Sequence, residues 1–418
     1  MPHHHVCRAI AVATLLGGAL VASSGAATPV PPAESAASPA SAPASAAAPL
    51  PPPAPFADAV ARTGEKLLAD GVARLGAAER DVVIDPLIDA NTGAQTEGTV
   101  QMGEQLSAII RASHPQWKLR PFTRQALASA PLLLMGTLTP VNTGNAPQQP
   151  RDAFRIWLTL VDLNTGRIVA KQLDRATVDT VDASPTRYYQ DSPTWHKDRT
   201  VSGYINSCQL DSKVGDPIDP AYLMRLPGAA LTNEAVIAYQ AGKTQEANVL
   251  YRQARELADP SDLRVLNGLY LTSWQLGRKQ EAAEAFGQIV SAGIATKRLP
   301  MKLLFRPGTT QLVATAGLQD QYDIWLREVA RQAGQRGACL AVIGHTSKTG
   351  TDAINDPLSK NRAAAIRMSL ERQDSSLARK LSSDGKGSRE NLIGLGTDDV
   401  RDALDRRVEF KVVECGDG

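Results

Sequence analysis

Ten of the chain's 27 prolines fall between positions 29 and 55, in a stretch that is otherwise almost entirely Ala and Ser and carries one charge, Glu34. No helix interior or sheet ladder accepts proline at that density, because each one fixes φ and removes a backbone donor. The few apolar side chains present do not offset chain entropy either. Residues 28–55 are therefore expected to be a disordered Pro/Ala-rich linker, and the folded regions must follow it. If extended at about 3.1 Å per residue, such a segment reaches on the order of 80 Å, enough to bridge a gap between a surface and a partner.

Residues 1–27 open with His3, His4, His5 and Arg8, continue with an apolar run over 9–22, and end in Ser24, Gly25 and Ala26. That is the layout of a secretory signal peptide cleaved after Ala26 or Ala27. The run is shorter than the about 20 residues of a membrane span, and no other stretch reaches that length, so no transmembrane helix is expected. Cys7 lies ahead of the apolar run and no cysteine follows at the cleavage point, so no lipoprotein acceptor is foreseen. The mature protein is expected to be periplasmic or associated with the outer membrane.

Lys and Arg total 45 against 43 for Asp and Glu, a formal net charge of +2, which argues against a nucleic-acid partner. There is no Gly-x-Ser-x-Gly elbow, no His-Glu-x-x-His and no phosphate-binding P-loop. Past residue 27 the histidines are His114, His196 and His345, none with a ligand-type neighbour at helical or turn spacing. No enzyme, metal or cofactor is expected. Three cysteines remain there, Cys208, Cys339 and Cys415, which in an oxidising compartment points to one disulfide and one free thiol.

The remainder reads as a multidomain α+β chain. Residues 56–200 suit an α/β domain: Phe56, Val60, Leu67, Leu68 and Val72 recur at helical spacing, strands are expected at 81–84 and 132–138, and a helix at about 99–112. Phe154, Ile156, Leu158 and Leu160 alternate with other residues up to the turn Asn164-Thr165-Gly166, and Ile168 to Ala170 follow, an antiparallel hairpin signal. The stretch 188–196 holds Tyr188, Tyr189, Trp195 and His196, suited either to packing on its own domain or to a recognition patch. Residues 201–221 read as a connector. In 222–298, Gly242, Glu246, Ala247, Tyr251 and Ala254 return 35 residues later as Gly277, Glu281, Ala282, Phe286 and Ile289. A two-helix unit of that period resembles the tetratricopeptide repeat, and two units are too few to bury a core alone.

Residues 299–418 begin with a short strand at 303–305. A helix over about 318–334, a strand at 339–343, a second helix capped by Asp356 with Pro357 in its first turn, and a last strand at 408–413 follow. The run GHTSKTGTDAINDPLSKNRAAAI, with DRRVEF at 405–410, resembles the signature of the OmpA-like peptidoglycan-binding domain. The resemblance implies a βαβαβ fold and a wall-peptide site made of His345, Thr346, Ser347, Gly350, Asn355, Leu358, Arg362 and Arg407. Family members that bind diaminopimelate use an aspartate where this chain has Ser347, and an arginine fifteen positions on, which is Arg362. A serine in place of the carboxylate exchanges a charge-assisted hydrogen bond for a neutral one, an expected affinity loss of roughly tenfold to thirtyfold. Two readings stay open: wall binding with altered affinity, or a fold kept for protein docking. In that domain Cys339 opens one strand and Cys415 follows another of the same small sheet, which makes them the expected disulfide, with Cys208 free.

The phrases VVIDPLIDANTGAQTEG, PLLLMGTLTP and FRIWLTLVDLNTGRIVAK resemble the domain shared by LpoB-type activators of penicillin-binding proteins and the FlgO and CsgG-like envelope proteins. That resemblance implies contact with an envelope protein partner and no catalysis. Together these features suggest a non-enzymatic envelope protein that holds peptidoglycan and recruits or scaffolds another protein. The alternative is an adaptor or regulator of a wall synthase, or of a secretion or motility apparatus.

Overall fold

A computed structural model describes residues 51–144, 149–209, 212–313, 318–397, 399 and 402–416. The expected signal peptide, 1–27, and the expected linker up to residue 50 lie outside the described residues. The described part opens with helix α1 (Phe56–Leu75), strand β1 (Arg80–Ile84), helix α2 (Glu97–Ser113), strand β2 (Trp117–Arg120) and the single turn α3 (Arg124–Leu127). Strands β3 (Leu132–Val141), β4 (Ala153–Asp162) and β5 (Arg167–Thr177) complete a sheet of order β2-β1-β3-β4-β5. β1 runs parallel to β2 and β3, while β3, β4 and β5 form an antiparallel meander through the expected hairpin.

Almost every residue of β3 and β4 is buried, because helices cover both faces of the sheet. Leu132, Leu134 and Leu138 pack with Phe56, Val60, Leu67 and Leu68 of α1. The alternate residues Leu133 and Met135 pack on the opposite side with Val201, Tyr204, Ile205 and Cys208. Those last four belong to helix α5 (Arg199–Cys208), which follows the short α4 (Arg187–Asp191) and precedes α6 (Pro220–Leu223). The segment read as a connector, 201–221, thus supplies a covering layer of the sheet.

Two antiparallel helix pairs come next: α7 (Leu226–Gln240) with α8 (Thr244–Arg255), and α9 (Leu263–Gln275) with α10 (Lys279–Ala295). Gly242 and Gly277 end the first helix of each pair at φ 75° and 73°. Both turns share one hydrogen-bond pattern: Gly242 N–H to Tyr239 O and Lys243 N–H to Ala238 O, then Gly277 N–H to Trp274 O and Arg278 N–H to Ser273 O. The left-handed conformation required there is one that glycine adopts at no steric cost.

The C-terminal sheet contains β6 (Arg298–Leu304), β7 (Cys339–Gly344), β8 (Leu381–Gly385) and β9 (Arg407–Val413), ordered β6-β9-β7-β8, with helices α11 (Leu318–Arg336) and α12 (Asp352–Gln373). The order of elements is βαβαββ, which corrects the expected βαβαβ. β8 carries Ser382, Ser383 and Asp384 at the sheet's edge, so it shows little of the apolar pattern that identifies a strand. The second helix also begins earlier than expected. Thr351 O accepts from Ile354 and Asn355 N–H, so a turn forms upstream and Pro357 lies inside the helix, not in its first turn.

One hydrophobic cluster joins the helix pairs to this sheet, from Tyr251 and Tyr270 through Phe286 and Trp325 to Leu340 and Phe410. The aromatic stretch 188–196 is packed inward at the junction: Tyr188, Tyr189, Trp195 and His196 are all buried. No helix among the described residues is long and apolar enough to cross a membrane.

Candidate functional site

β7 ends at Gly344 and delivers the loop 345–350. A Cβ on Gly344 would stand 1.9 Å from Ser359 O of α12, so a glycine is needed where strand and helix backbones touch. The loop is held from several sides. His345 N–H donates to Arg407 O, and Thr346 N–H donates to Gly387 O, each at 2.9 Å. Asn391 Nδ2 donates to Thr346 O at 2.9 Å, and Asn355 Nδ2 donates to Thr349 O at 3.0 Å. Ser347 Oγ lies 3.0 Å from Thr349 Oγ1. Gly350, exposed, takes φ 82° at the turn into α12.

The expected site residues fall into two groups. His345, Thr346, Ser347, Gly350, Asn355 and Arg362 gather at the end of β7, with Leu358 half-buried on α12 beside them in sequence. Arg362 is buried and its guanidinium is engaged with backbone: Nε donates to Thr309 O at 2.9 Å, Nη1 to His345 O at 2.9 Å and Nη2 to Arg306 O at 3.1 Å. It also lies over the Phe305 ring, 5.1 Å from the centroid. Arg362 therefore ties the end of β6 to the loop.

Arg407 belongs to the second group, on a face of β9 that it shares with Glu409. His345 Nε2 is 2.9 Å from Glu409 Oε1, and Arg407 Nη2 is 3.6 Å from the same oxygen. Arg407 also donates to Glu390 O at 3.1 Å and stacks 5.5 Å from the Trp195 ring centroid. Burial pushes the Glu409 carboxyl up, but the His345 hydrogen bond and the Arg407 charge outweigh it and hold it at about 2. Burial, assisted by Arg407, lowers His345, so the ring is neutral and Nε2–H donates.

Ligand atoms of His345, Glu390 and Glu409 lie within 4.8 Å of one another, a grouping that sequence spacing does not reveal. It makes a poor metal centre. The Arg407 guanidinium already neutralises Glu409, and among the described residues His345 Nδ1 has no acceptor to orient a metal-bound ring. Sequence reasoning also missed Asp405, whose carboxylate accepts from Leu392, Ile393 and Gly394 N–H at 2.7, 3.1 and 2.7 Å and so shapes the loop beside the site. Cys339 and Cys415 are joined as a disulfide, and Cys208 is free and buried.

Residues 304–403 match the model of the OmpA family. Solved structures similar to it include the peptidoglycan-associated lipoprotein from Burkholderia pseudomallei, at 22% identity over 27% of this chain and 89% of that one, with a TM-score of 0.23. The C-terminal domain of Helicobacter pylori MotB is 19% identical over 27% of this chain and 84% of that one, with a TM-score of 0.23. The cell wall anchor of the T6SS from Pseudomonas aeruginosa is 20% identical over 27% and 77%, with a TM-score of 0.22. No curated protein matches the chain.

Proposed function

We propose that this is a non-enzymatic cell-envelope protein that attaches non-covalently to peptidoglycan through its OmpA-like domain and recruits an envelope protein through the regions before it. The carrying observation is the OmpA-family match over 304–403 together with the loop that retains Gly344, His345, Thr346, Gly350, Asn355 and Arg362 at the family's spacing. In this reading residues 1–27 are a cleaved signal, 28–55 a tether, 56–200 an interaction domain, 222–298 tetratricopeptide-like helix pairs and 299–418 the wall-binding domain. The recurring glycine turns at Gly242 and Gly277 support the repeat. The location that follows is the periplasm, free or associated with the outer membrane.

A second reading, an adaptor whose OmpA-like domain docks protein, is favoured by one pair of facts. The carboxylate position is Ser347, and the Arg362 guanidinium is turned onto the carbonyls of Arg306, Thr309 and His345. Retention of the full chain on purified sacculi tests both. Wall binding predicts retention, and Ser347→Asp, which restores an acceptor with charge, is expected to raise affinity about tenfold. No retention, or a Ser347→Asp variant that also fails to bind, favours the docking reading.

A further inference from the structure

The first helix pair carries an open groove of about 650 Å³ between α7 and α8. Ile237 and Val249 line it and are 57% and 44% exposed, with Ala241, Glu234, Lys243 and Glu246 beside them. Thr272, Arg278 and Glu281 of the second pair stand 35 residues after Ile237, Lys243 and Glu246, and all three hold the helix in front of them, α8. Asn248 Nδ2 donates to Thr272 Oγ1 at 2.8 Å, Arg278 Nη1 to Asn248 Oδ1 at 3.3 Å and Arg252 Nη2 to Glu281 Oε2 at 2.7 Å. The groove of the first pair is thus the face on which a preceding helix would rest, and there Ile237 meets solvent.

The residues that differ between the two pairs point the same way. The end of a stack of helix pairs needs a polar outer face to stay soluble. Here the polarity is reversed: Thr272 is buried where Ile237 is exposed, and the exposed Glu284 of the second pair corresponds to the exposed Val249. Apolar side chains gathered in one groove, not scattered singly, mark an interaction surface. The charges select the visitor. Glu246 keeps Lys243 at 3.3 Å, as Glu281 keeps Arg278 at 3.8 Å, and Glu281 still accepts Arg252 from the neighbouring helix. Glu234 has no ion-pair partner among the described residues. Two acids against one lysine favour a basic surface.

We propose that the α7–α8 groove docks one amphipathic helix of a partner protein, with apolar residues at helical spacing on Ile237 and Val249 and an arginine or lysine toward Glu246. The helix lies antiparallel to α7, as α8 lies to α9, where Thr244 meets Gln275 and Asn248 meets Thr272. The inference rests on the recruitment part of the reading above and gives it a surface. Occupants from the chain itself fit less well. Residues 29–55 hold ten prolines, a density no helix accepts. At the other end of the stack α11 covers α10, with the Phe286 and Trp325 rings 5.8 Å apart, so a second copy finds no open helix there to extend. Two copies joined through this groove would bring together surfaces with the same excess of acid.

Fluorescence anisotropy of the full chain with two synthetic helical peptides tests this. One is built of alanine and leucine, with the leucines at helical spacing and arginines flanking them, and the other has glutamates for the arginines. The arginine peptide is expected to bind, and the glutamate peptide about tenfold more weakly or worse. Ile237→Asp/Val249→Asp is expected to weaken the arginine peptide about tenfold or more, and Glu234→Lys/Glu246→Lys to invert the preference between the two. Ile237, Glu246 and Val249 are exposed, and circular dichroism on each variant guards against loss of fold. No binding of the arginine peptide by the folded wild type, equal binding of the two peptides, unaltered affinity in the aspartate variant or an unchanged preference in the lysine variant overturns the assignment. So does a dimer in analytical ultracentrifugation that Ile237→Asp dissociates, which gives the face to a second copy. Crosslinking of the full chain to an envelope protein in intact cells that persists undiminished in the aspartate variant leaves recruitment standing and removes the groove from it.

Discussion

At the scale of single residues, Arg362 and Arg407, the two most deeply buried arginines of the C-terminal domain, do different work. Arg362 donates to three backbone carbonyls at once, and its removal takes the donor from the buried His345 carbonyl and unties the chain at Arg306 and Thr309 from the loop. Arg362→Leu is expected to lower stability by about 3 kcal/mol or more in urea titration, a cost that a guanidinium pointing freely into a pocket would not carry. Loss of sacculus binding in that variant therefore needs a folding control before it is read as loss of a ligand contact. Arg407 acts through Glu409, whose carboxyl is held at about 2 in the folded protein against 4.5 ordinarily. Above about pH 4.5 the group is ionised in both states and its stabilisation is complete. As pH falls below 4.5 the unfolded chain takes up the proton first, and the stabilisation drains away until about pH 2. The whole effect is on the order of 3 kcal/mol. Glu409→Gln is expected to flatten the stability profile between those two pH values, measured by urea midpoints, and an unchanged slope would show that the His345–Glu409–Arg407 group contributes little.

At the scale of elements, the covalent and steric fastenings sit at the ends of strands. The Cys339–Cys415 disulfide ties the start of β7 to the residues after β9 and closes a loop across a sequence separation of 76. A crosslink of that span is worth about 4 kcal/mol in the chain-entropy account, so Cys339→Ser/Cys415→Ser is expected to lose roughly that much. Cys208, wholly buried in α5, has its thiol pushed up by burial and should resist alkylation until the chain is unfolded. Mass spectrometry after iodoacetamide, with and without denaturant and without reductant, reads this directly. The elements differ in how far their residues announced them. The β7–loop–α12 unit was legible because its glycines and polar residues are required by a close backbone approach at fixed positions, as Gly344 against Ser359 shows. β8 was not, since an edge strand of the type Leu-Ser-Ser-Asp-Gly needs only backbone pairing with β7. α5 was missed for another reason: Arg199, Ser202 and Asn206 interrupt it, and its apolar face has meaning only against Leu133 and Met135 of a distant strand. Within the candidate site, the loop lies almost contiguous in sequence, whereas Arg407 and Glu409 meet His345 only through the fold.

At the scale of the whole described chain, the stretch from Tyr188 to His196 is a fastening between its parts. Lys302 N–H donates to Pro193 O at 2.8 Å and Lys302 Nζ to Tyr189 O at 2.6 Å, which joins β6 to the end of the N-terminal part. Asn267 Nδ2 donates to Thr194 Oγ1 at 2.7 Å, and Leu263 N–H donates to Asp198 Oδ2, two residues past the stretch, at 2.8 Å, which joins α9 to this part of the chain. Burial lowers the Lys302 ammonium to about 7 from 10.5. Between those pH values the folded chain holds fewer protons than the unfolded one, so stability should rise with pH across that window, and Lys302→Met should remove the rise. On the other side, Trp325 Nε1 donates to Tyr270 OH at 2.7 Å and the Trp325 and Phe286 rings stack 5.8 Å apart, within the cluster that continues to Leu340 and Phe410. Helix pairs that share their core with the sheet behind them have no surface along which to separate without exposing aromatic area. Each large aromatic buried there is worth several kcal/mol on truncation. Residues 222–416 are therefore expected to unfold in one cooperative transition, with tryptophan fluorescence and far-ultraviolet circular dichroism superimposing along a urea gradient. Trp325→Ala, which empties the junction, should separate the two curves and bring the helix pairs down first, because two units lack a continuous core without that support. Non-coincident curves already in the wild type would mean that the OmpA-family domain folds independently of the helices that pack on it.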